Sequence, residues 1–250
     1  SDSTAQKEVL VLNRNWKFSC NDSANYRDAL VPGSVYTDLM QQHMIENPFV
    51  KDNLKDIEWI AEQTWTYTTT FDVSERNLKT SSNIELWFEG IDTYASIYLN
   101  DSLIMQTKNA FHPWFVDVKK FLKPNSNVLK VIFPPLIPIL KLEASKYSFT
   151  LPEGLRVYAR KPQFHFGWDF APKILNISIF KPVTLRFWNG FSFENVSCQA
   201  KPENKNGVLG SLFFVRTEND EFLDFILQIK DVNTKKIWHK VKIKTSITDL

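Results

Sequence analysis

The segment "ARKPQFHFGWDFAP", Ala159 to Pro172, places Trp168 and Asp169 side by side, a few positions after Arg160, Lys161 and His165. An indole offers a flat apolar face to the C–H groups of a sugar ring, and a carboxylate at its edge accepts hydrogen bonds from the ring hydroxyls. Trp168 and Asp169 are therefore candidate sugar contacts. The same residues also describe a buried aromatic cluster in which one Asp ties a loop to backbone N–H groups. The local sequence leaves both readings open.

Other chemistry finds less support. Glycoside hydrolysis with retention needs two carboxyl groups about 5.5 Å apart. Glu85 and Glu89 share one face of the segment "NIELWFEGI", but at roughly 3.3 Å per residue they stand roughly 13 Å apart. They are expected to face solvent or to hold loops. His112 in "FHPWF" and His165 in "FHFGW" have no His-x-x-x-His or Cys-x-x-Cys companion. They read as histidines packed among aromatics, and neither a metal site nor a cofactor is expected. There is no G-x-S-x-G elbow and no Gly-rich phosphate loop, so acyl transfer and nucleotide chemistry are unsupported.

Charge excludes another class. The 250 residues carry 30 basic and 28 acidic side chains, a net charge of +2, too small a field to hold nucleic acid. The basic run "KKIWHKVKIK" alternates Lys240, Lys242 and Lys244 with Val241 and Ile243, which reads as the exposed face of a strand guarding a sheet edge. No run of about 18 apolar residues exists, and "VIFPPLIPIL" (Val131 to Leu140) is broken by prolines, so a soluble chain without a membrane partner is expected. The opening "SDSTAQKEVL" lacks the basic and apolar regions of a signal peptide, and reads as either already processed or never secreted.

Two cysteines, Cys20 and Cys198, make no disulfide framework. Four N-x-S/T sequons, at Asn21, Asn100, Asn176 and Asn195, are candidate glycosylation sites and favour the secretory route.

Most of the sequence around these residues reads as strands. "TWTYTTTFDV" (Thr64 to Val73), "NIELWFEGI" (Asn83 to Ile91), "NVLKVIF" (Asn127 to Phe133) and "KPVTLRFW" (Lys181 to Trp188) alternate with period two and are rich in β-formers. "YASIYLNDSLIMQT" (Tyr94 to Thr107) predicts a hairpin with Asn100-Asp101 in its turn. One helix is predicted in "SVYTDLMQQHMI" (Ser34 to Ile45), with Ser34 as N-cap, placed to plug the end of a sandwich. After Asn189-Gly190 the pattern changes to "FSFENVSCQA", "GSLFFVRT", "FLDFILQIKD" and "KIWHKVKIKT", joined by polar turns such as "PENKNG". An immunoglobulin-like sandwich needs about seven strands in about 100 residues, so residues 189–250 predict only part of one. The fold class is all-β: a jelly-roll β-sandwich over residues 1–188, followed by an incomplete immunoglobulin-like sandwich.

Several segments together resemble one family. "LVPGSVYTDLMQQHMIENPFVKDNLKDIEWIAEQTWTYTTTF" (Leu30 to Phe71), "LWFEGIDTYASIYLN" (Leu86 to Asn100), "NAFHPWFVDVKKFL" (Asn109 to Leu122) and "RKPQFHFGWDFAP" (Arg160 to Pro172) are similar to the N-terminal portion of family 2 glycoside hydrolases. The "RK…GWD" loop is most similar to the β-mannosidases. The resemblance implies a galactose-binding-like jelly roll, an immunoglobulin-like domain and a catalytic TIM barrel, the barrel lying outside this sequence and carrying both catalytic glutamates. It implies that Trp168 walls a mannose subsite, that Asp169 accepts hydrogen bonds from sugar hydroxyls, and that Arg160 either supports them or contacts the sugar itself. It favours structural roles for Trp59 and Trp65. The implied partner is a β-mannoside oligosaccharide, and with the sequons the implied location is lysosomal or secreted. A stand-alone carbohydrate-binding or interaction module, or a family 2 enzyme acting on another sugar, is the alternative. The family commonly reads Trp-Asp-Trp-Gly-Pro where this chain has Trp168-Asp169-Phe170-Ala171-Pro172, and an Ala in place of Gly matters only where the backbone needs positive φ.

Overall fold

The computed structural model describes residues 8–21, 23–203, 206–217, 224–230 and 233–244. They fall into two compact units, one from Glu8 to Phe187 and one from Trp188 onward.

In chain order the strands of the first unit are β1 (Glu8–Val11), β2 (Lys17–Cys20), β3 (Arg27–Asp28), β4 (Gly33–Ser34), β5 (Trp65–Phe71), β6 (Asn83–Phe88), β7 (Tyr94–Leu99), β8 (Ser102–Lys108), β9 (Trp114–Asp117), β10 (Asn127–Phe133), β11 (Ser178–Ile179) and β12 (Val183–Trp188). They form a four-stranded sheet ordered β1-β12-β6-β9, a six-stranded sheet ordered β3-β2-β5-β10-β7-β8, and a short β11-β4 pair. The pairings are antiparallel.

Period two in the sequence becomes burial on one face. Ile84, Leu86 and Phe88 of β6 and Val183, Leu185 and Phe187 of β12 share one core with Leu129, Val131 and Phe133 of β10 and Ala95, Ile97 and Leu99 of β7. Burying each large side chain stabilises the fold by about 1.5–3 kcal/mol. The Asn100-Asp101 turn joins β7 to β8 with both residues at positive φ, 49° and 65°. That is the geometry a tight two-residue hairpin requires, and Asn and Asp tolerate it best.

Helix α1 (Val35–Gln41) is capped at Ser34, whose Oγ accepts from Thr37 N at 3.2 Å while Thr37 Oγ1 accepts from Ser34 N at 3.0 Å. It stops short of the expected Ile45, because His43 takes a left-handed φ of 55°. Val35, Tyr36 and Leu39 enter the main core. Asp38 is buried with them, accepting from Tyr67 Oη at 2.6 Å and Leu30 N at 2.9 Å.

Two features depart from the sequence reading. The proline-broken segment forms helix α3 (Leu136–Ala144), following α2 (Glu75–Thr80) in the chain. Pro134 and Pro135 precede its first turn and Pro138 falls within that turn, where no intrahelical N–H donor is required. Leu136 and Leu140 of α3 build a second apolar cluster with Ala61, Ala159 and Leu175. Phe166, in the loop that carries Trp168, packs against that cluster.

Glu85 is the other departure. It is buried at 4% exposure and accepts from Trp87 Nε1 at 2.8 Å. Both faces of β6 are covered, since Trp87 stacks on Phe115 at 4.2 Å and the Arg186 guanidinium lies 3.8 Å over the Trp87 ring. Arg186 of β12 pairs with Glu89, so that carboxylate ties the start of the loop after β6 to β12, consistent with the expected loop-holding role.

The second unit contains β13 (Phe191–Glu203) paired with β14 (Asn206–Thr217), and β15 (Asp224–Lys230) paired with β16 (Ile237–Lys244). Lys240 and Lys242 of β16 are exposed. The side chain of Lys244, the middle of the "PENKNG" turn and the opening residues 1–7 lie outside the described residues. Among the described residues no helix is long and apolar enough to cross a membrane.

Candidate functional site

The site is built outward from Asp92, between β6 and β7. Its backbone exchanges hydrogen bonds with Ser178 of β11, Asp92 N to Ser178 O at 2.9 Å and Ser178 N to Asp92 O at 3.1 Å. Its side chain is 2% exposed, and Lys161, 1% exposed, donates from Nζ to both carboxylate oxygens at 2.8 Å. Lys161 Nζ also donates to Asn176 O at 2.9 Å and lies 3.2 Å from His165 Nδ1. Asn176 Nδ2 donates to Asp92 Oδ2 at 3.2 Å and to Ser178 Oγ at 2.7 Å, and Thr93 Oγ1 donates to Asp92 Oδ1.

Burial by itself pushes the Asp92 carboxyl up, but His165, the Lys161 charge and the other donors outweigh it and hold it below its ordinary value. Burial pulls Lys161 down, against the opposing pull of Asp92. A carboxylate with this many donors stays ionised, and Lys161 is its counter-charge.

The chain from Lys161 to Asn176 leaves this centre and returns to it. After a short 3-10 turn (Gln163–Phe166), Gly167 takes φ 94°, which suits a residue without Cβ. Trp168 and Ala171 then close a tight turn, Trp168 N to Ala171 O at 2.9 Å and Ala171 N to Trp168 O at 3.1 Å. Asp169 and Phe170 form its tip. Ala171 is not at positive φ, so the Gly-to-Ala departure introduces no strain there.

Trp168 is 49% exposed, Phe170 is 81% exposed, and Asp169 is exposed, its carboxylate making no hydrogen bond or ion pair among the described residues. The Arg156 guanidinium, on the 3-10 helix Gly154–Tyr158, lies 4.7 Å over the Trp168 ring. Arg160 is exposed and its carbonyl accepts from Ala110 N at 2.9 Å. The turn therefore presents a half-exposed indole and an uncommitted carboxylate outward, which is not the buried cluster with Asp169 tied to backbone N–H groups.

Beside the buried centre is a cavity of about 450 Å³ lined by Asp92, His165, Asn176, Phe111, Phe180 and Lys181, among others. His112 packs on Trp114 at 4.6 Å with Nδ1 2.7 Å from Pro113 O, as its aromatic setting suggested. His165 does more than pack among aromatics, since it touches Phe164 edge-on yet points Nδ1 at Lys161 and Asp92. The sequence reading missed Asp92, Arg156 and the role of Lys161. Asp92 and Lys161 both lay in segments that carried the family resemblance. Arg156 gave no signal.

Trp65 is buried, donating from Nε1 to Ile60 O at 2.8 Å, and Trp59 tilts against it at 5.9 Å. Among the described residues no group of three His, Cys, Asp or Glu is placed to hold a metal.

The sequons differ in what their amides do. Asn100 Nδ2 donates to Phe121 O at 2.7 Å and Asn127 Oδ1 at 3.0 Å, while its Oδ1 accepts from Val128 N at 2.9 Å. Asn176 is committed to Asp92 and Ser178 as given above. An N-linked glycan replaces one amide hydrogen, so the folded structure opposes a glycan at either position. Asn21 is exposed and donates to Gln63 Oε1 at 2.6 Å. The side chain of Asn195 lies outside the described residues.

The chain has clear relatives. It is 26% identical over 242 residues to a probable β-mannosidase of Caenorhabditis elegans, covering 91% of this chain and 27% of that protein. It is 30% identical over 192 residues to β-mannosidase B of Thermothelomyces thermophilus, covering 74% of this chain and 22% of that protein. The β-D-mannosidase structure of Dictyoglomus thermophilum superposes with a TM-score of 0.88 at 32% identity, over 96% of this chain and 30% of that one. The chain thus spans about a quarter of the length of the relatives it matches. A β-glucuronidase from an uncultured Clostridium sp. shares the fold, with a TM-score of 0.62 at 18% identity. The family model described as glycosyl hydrolase 2 galactose-binding domain-like matches residues 16–181. That match takes in most of the sandwich, the Asp92–Lys161 pair and the exposed turn, and the chain belongs to this family.

Proposed function

We propose that this chain is the N-terminal, non-catalytic part of a β-mannosidase-like glycoside hydrolase that removes terminal β-linked mannose from oligosaccharides. Its Trp168–Asp169 turn forms one wall of the sugar subsite. The observation that carries this reading is the uncommitted, exposed Asp169 carboxylate beside a half-exposed indole, on a turn that rises from a buried ion pair. Trp168 covers the apolar face of the mannose ring, Asp169 accepts from its hydroxyls, and Arg160 donates to the sugar from the rim. The printed names of the relatives, β-mannosidases, support mannose as the sugar.

The catalytic carboxylates belong to a barrel outside this chain, and the reaction is a double displacement through a covalent glycosyl intermediate. With those carboxylates outside it, this chain alone is inactive; its own Glu85 and Glu89 hold Trp87 and Arg186. Residues 1–188 act as the jelly roll, and residues 189–250 as the start of an immunoglobulin-like sandwich. The remaining sequons, at Asn21 and Asn195, support a lysosomal or secreted location.

A panel of chromogenic β-glycosides on the complete glycosidase tests the substrate: β-mannoside is expected to be preferred, and preference for a glucuronide or galactoside would overturn it. A second reading, a stand-alone carbohydrate-binding module, is favoured by the half exposure of Trp168 within this chain itself. Titration of β-mannosyl oligosaccharides onto the chain separates the two. Millimolar or tighter binding supports the module, and silence supports a wall that needs the rest of its pocket.

A further inference from the structure

Two sequence segments far apart in the chain, around Asp92 and around Arg160-Lys161, meet at one buried point. Lys161 begins the loop that carries Trp168 and Asp169, and Asn176 ends it. Both side chains bond the same Asp92 carboxylate, and Lys161 Nζ also bonds the Asn176 carbonyl. A third tie comes from inside the loop, where His165 Nδ1 sits 3.2 Å from Lys161 Nζ and 3.4 Å from Asp92 Oδ2. Between Phe166 and Lys173 the backbone hydrogen bonds of the described residues stay within the loop. The loop is thus fastened at its start, middle and end to one carboxylate carried by the sandwich.

A buried ion pair is a poor source of stability, since desolvation offsets most of its attraction and apolar residues of similar volume often serve as well. Its directional bonds do fix geometry, which an apolar contact does less sharply. We infer that Asp92, Lys161 and His165 are positioning residues: without touching sugar, they set the pose in which the sandwich presents the Trp168–Asp169 turn to it. This inference rests on the sugar-contact reading above.

The test uses two variants of the complete glycosidase, the double substitution Asp92→Asn with Lys161→Met, and His165→Phe. Hydrogen exchange is followed in peptides covering residues 163–175 and, as a control, in β6 and β10. In both variants the loop amides are expected to exchange about tenfold faster while the control strands do not change. KM for a β-mannoside is expected to rise several-fold, with kcat changed less. His165→Phe leaves the Asp92–Lys161 pair intact and so carries the test should the double variant not fold. Unchanged exchange over residues 163–175 would overturn the inference. Faster exchange with KM unmoved would leave the ties standing and overturn the sugar reading instead.

Discussion

Arg156 covers one face of Trp168, its guanidinium 4.7 Å from the ring, while the indole remains 49% exposed. One face of the ring is thereby taken by a cation, while about half of the residue stays open to solvent. A cation over an exposed indole contributes only about 0.5–1 kcal/mol, so the contact matters more for the ring's orientation than for the fold. Arg156→Leu is expected to lower stability by less than about 1 kcal/mol and to raise KM for a β-mannoside several-fold. Arg156→Lys, which keeps a cation there, is expected to recover most of the loss. Thermal melts with steady-state kinetics check both.

Asp92 makes acid stability a readable quantity. Its carboxyl is held below the ordinary 3.8 by His165, Lys161 and Thr93 against the upward push of burial. A depressed folded-state value stabilises the protein above pH 3.8, and that contribution disappears as pH falls through the lowered value. Asp92→Asn, which leaves Lys161 buried without its counter-charge, is expected to cost about 3–5 kcal/mol at neutral pH. In denaturant melts across pH, the gap between wild type and variant is expected to narrow only below pH 3.8.

The sign reverses at Asp38, whose carboxyl burial raises despite hydrogen bonds from Tyr67 and Leu30. A raised folded-state value favours the protonated form, so this group's stabilisation is full below pH 3.8 and is lost as pH rises through the raised value. Tyr67→Phe removes a donor that helps the carboxylate remain buried. It is expected to cost about 1–3 kcal/mol at neutral pH and less in acid, where Asp38 is protonated. A gap that grows in acid would contradict this assignment.

Expression through a secretory route tests the sequons. Glycopeptide mass spectrometry is expected to find Asn100 and Asn176 unmodified, since their amide hydrogens are committed within the fold. Asn100→Gln is expected to lose about 1–3 kcal/mol, because Asn100 bridges Phe121, Asn127 and Val128 from a residue at positive φ. Full occupancy at Asn100 with an unchanged melt would contradict the geometry.

The sandwich was legible where burial is one-sided. β10 matches Asn127 to Phe133, and the Asn100-Asp101 turn and the Ser34 cap fall where local chemistry puts them. β6 was harder, because Trp87, Phe115 and Arg186 cover its outer face and bury Glu85, and alternation then no longer separates core from solvent. α3 was hidden by prolines whose position in the first turn makes them harmless. At the site, Trp168 and Asp169 could be picked out because a side-by-side pair carries its own chemistry. The Asp92–Lys161 bond joins residues 69 positions apart, and no local pattern encodes such a meeting. The resemblance marked both segments without saying that they touch.

Asp169 is proposed to grip a sugar from the tip of its turn. Asp169→Asn in the complete glycosidase keeps the side-chain shape and removes the charge that strengthens hydrogen bonds from hydroxyls. Measured with a chromogenic β-mannoside, kcat/KM is expected to fall by about tenfold or more, equivalent to a lost charge-assisted bond of about 1.5–3 kcal/mol, with the melting temperature unchanged. Wild-type kcat/KM in this variant would contradict the account.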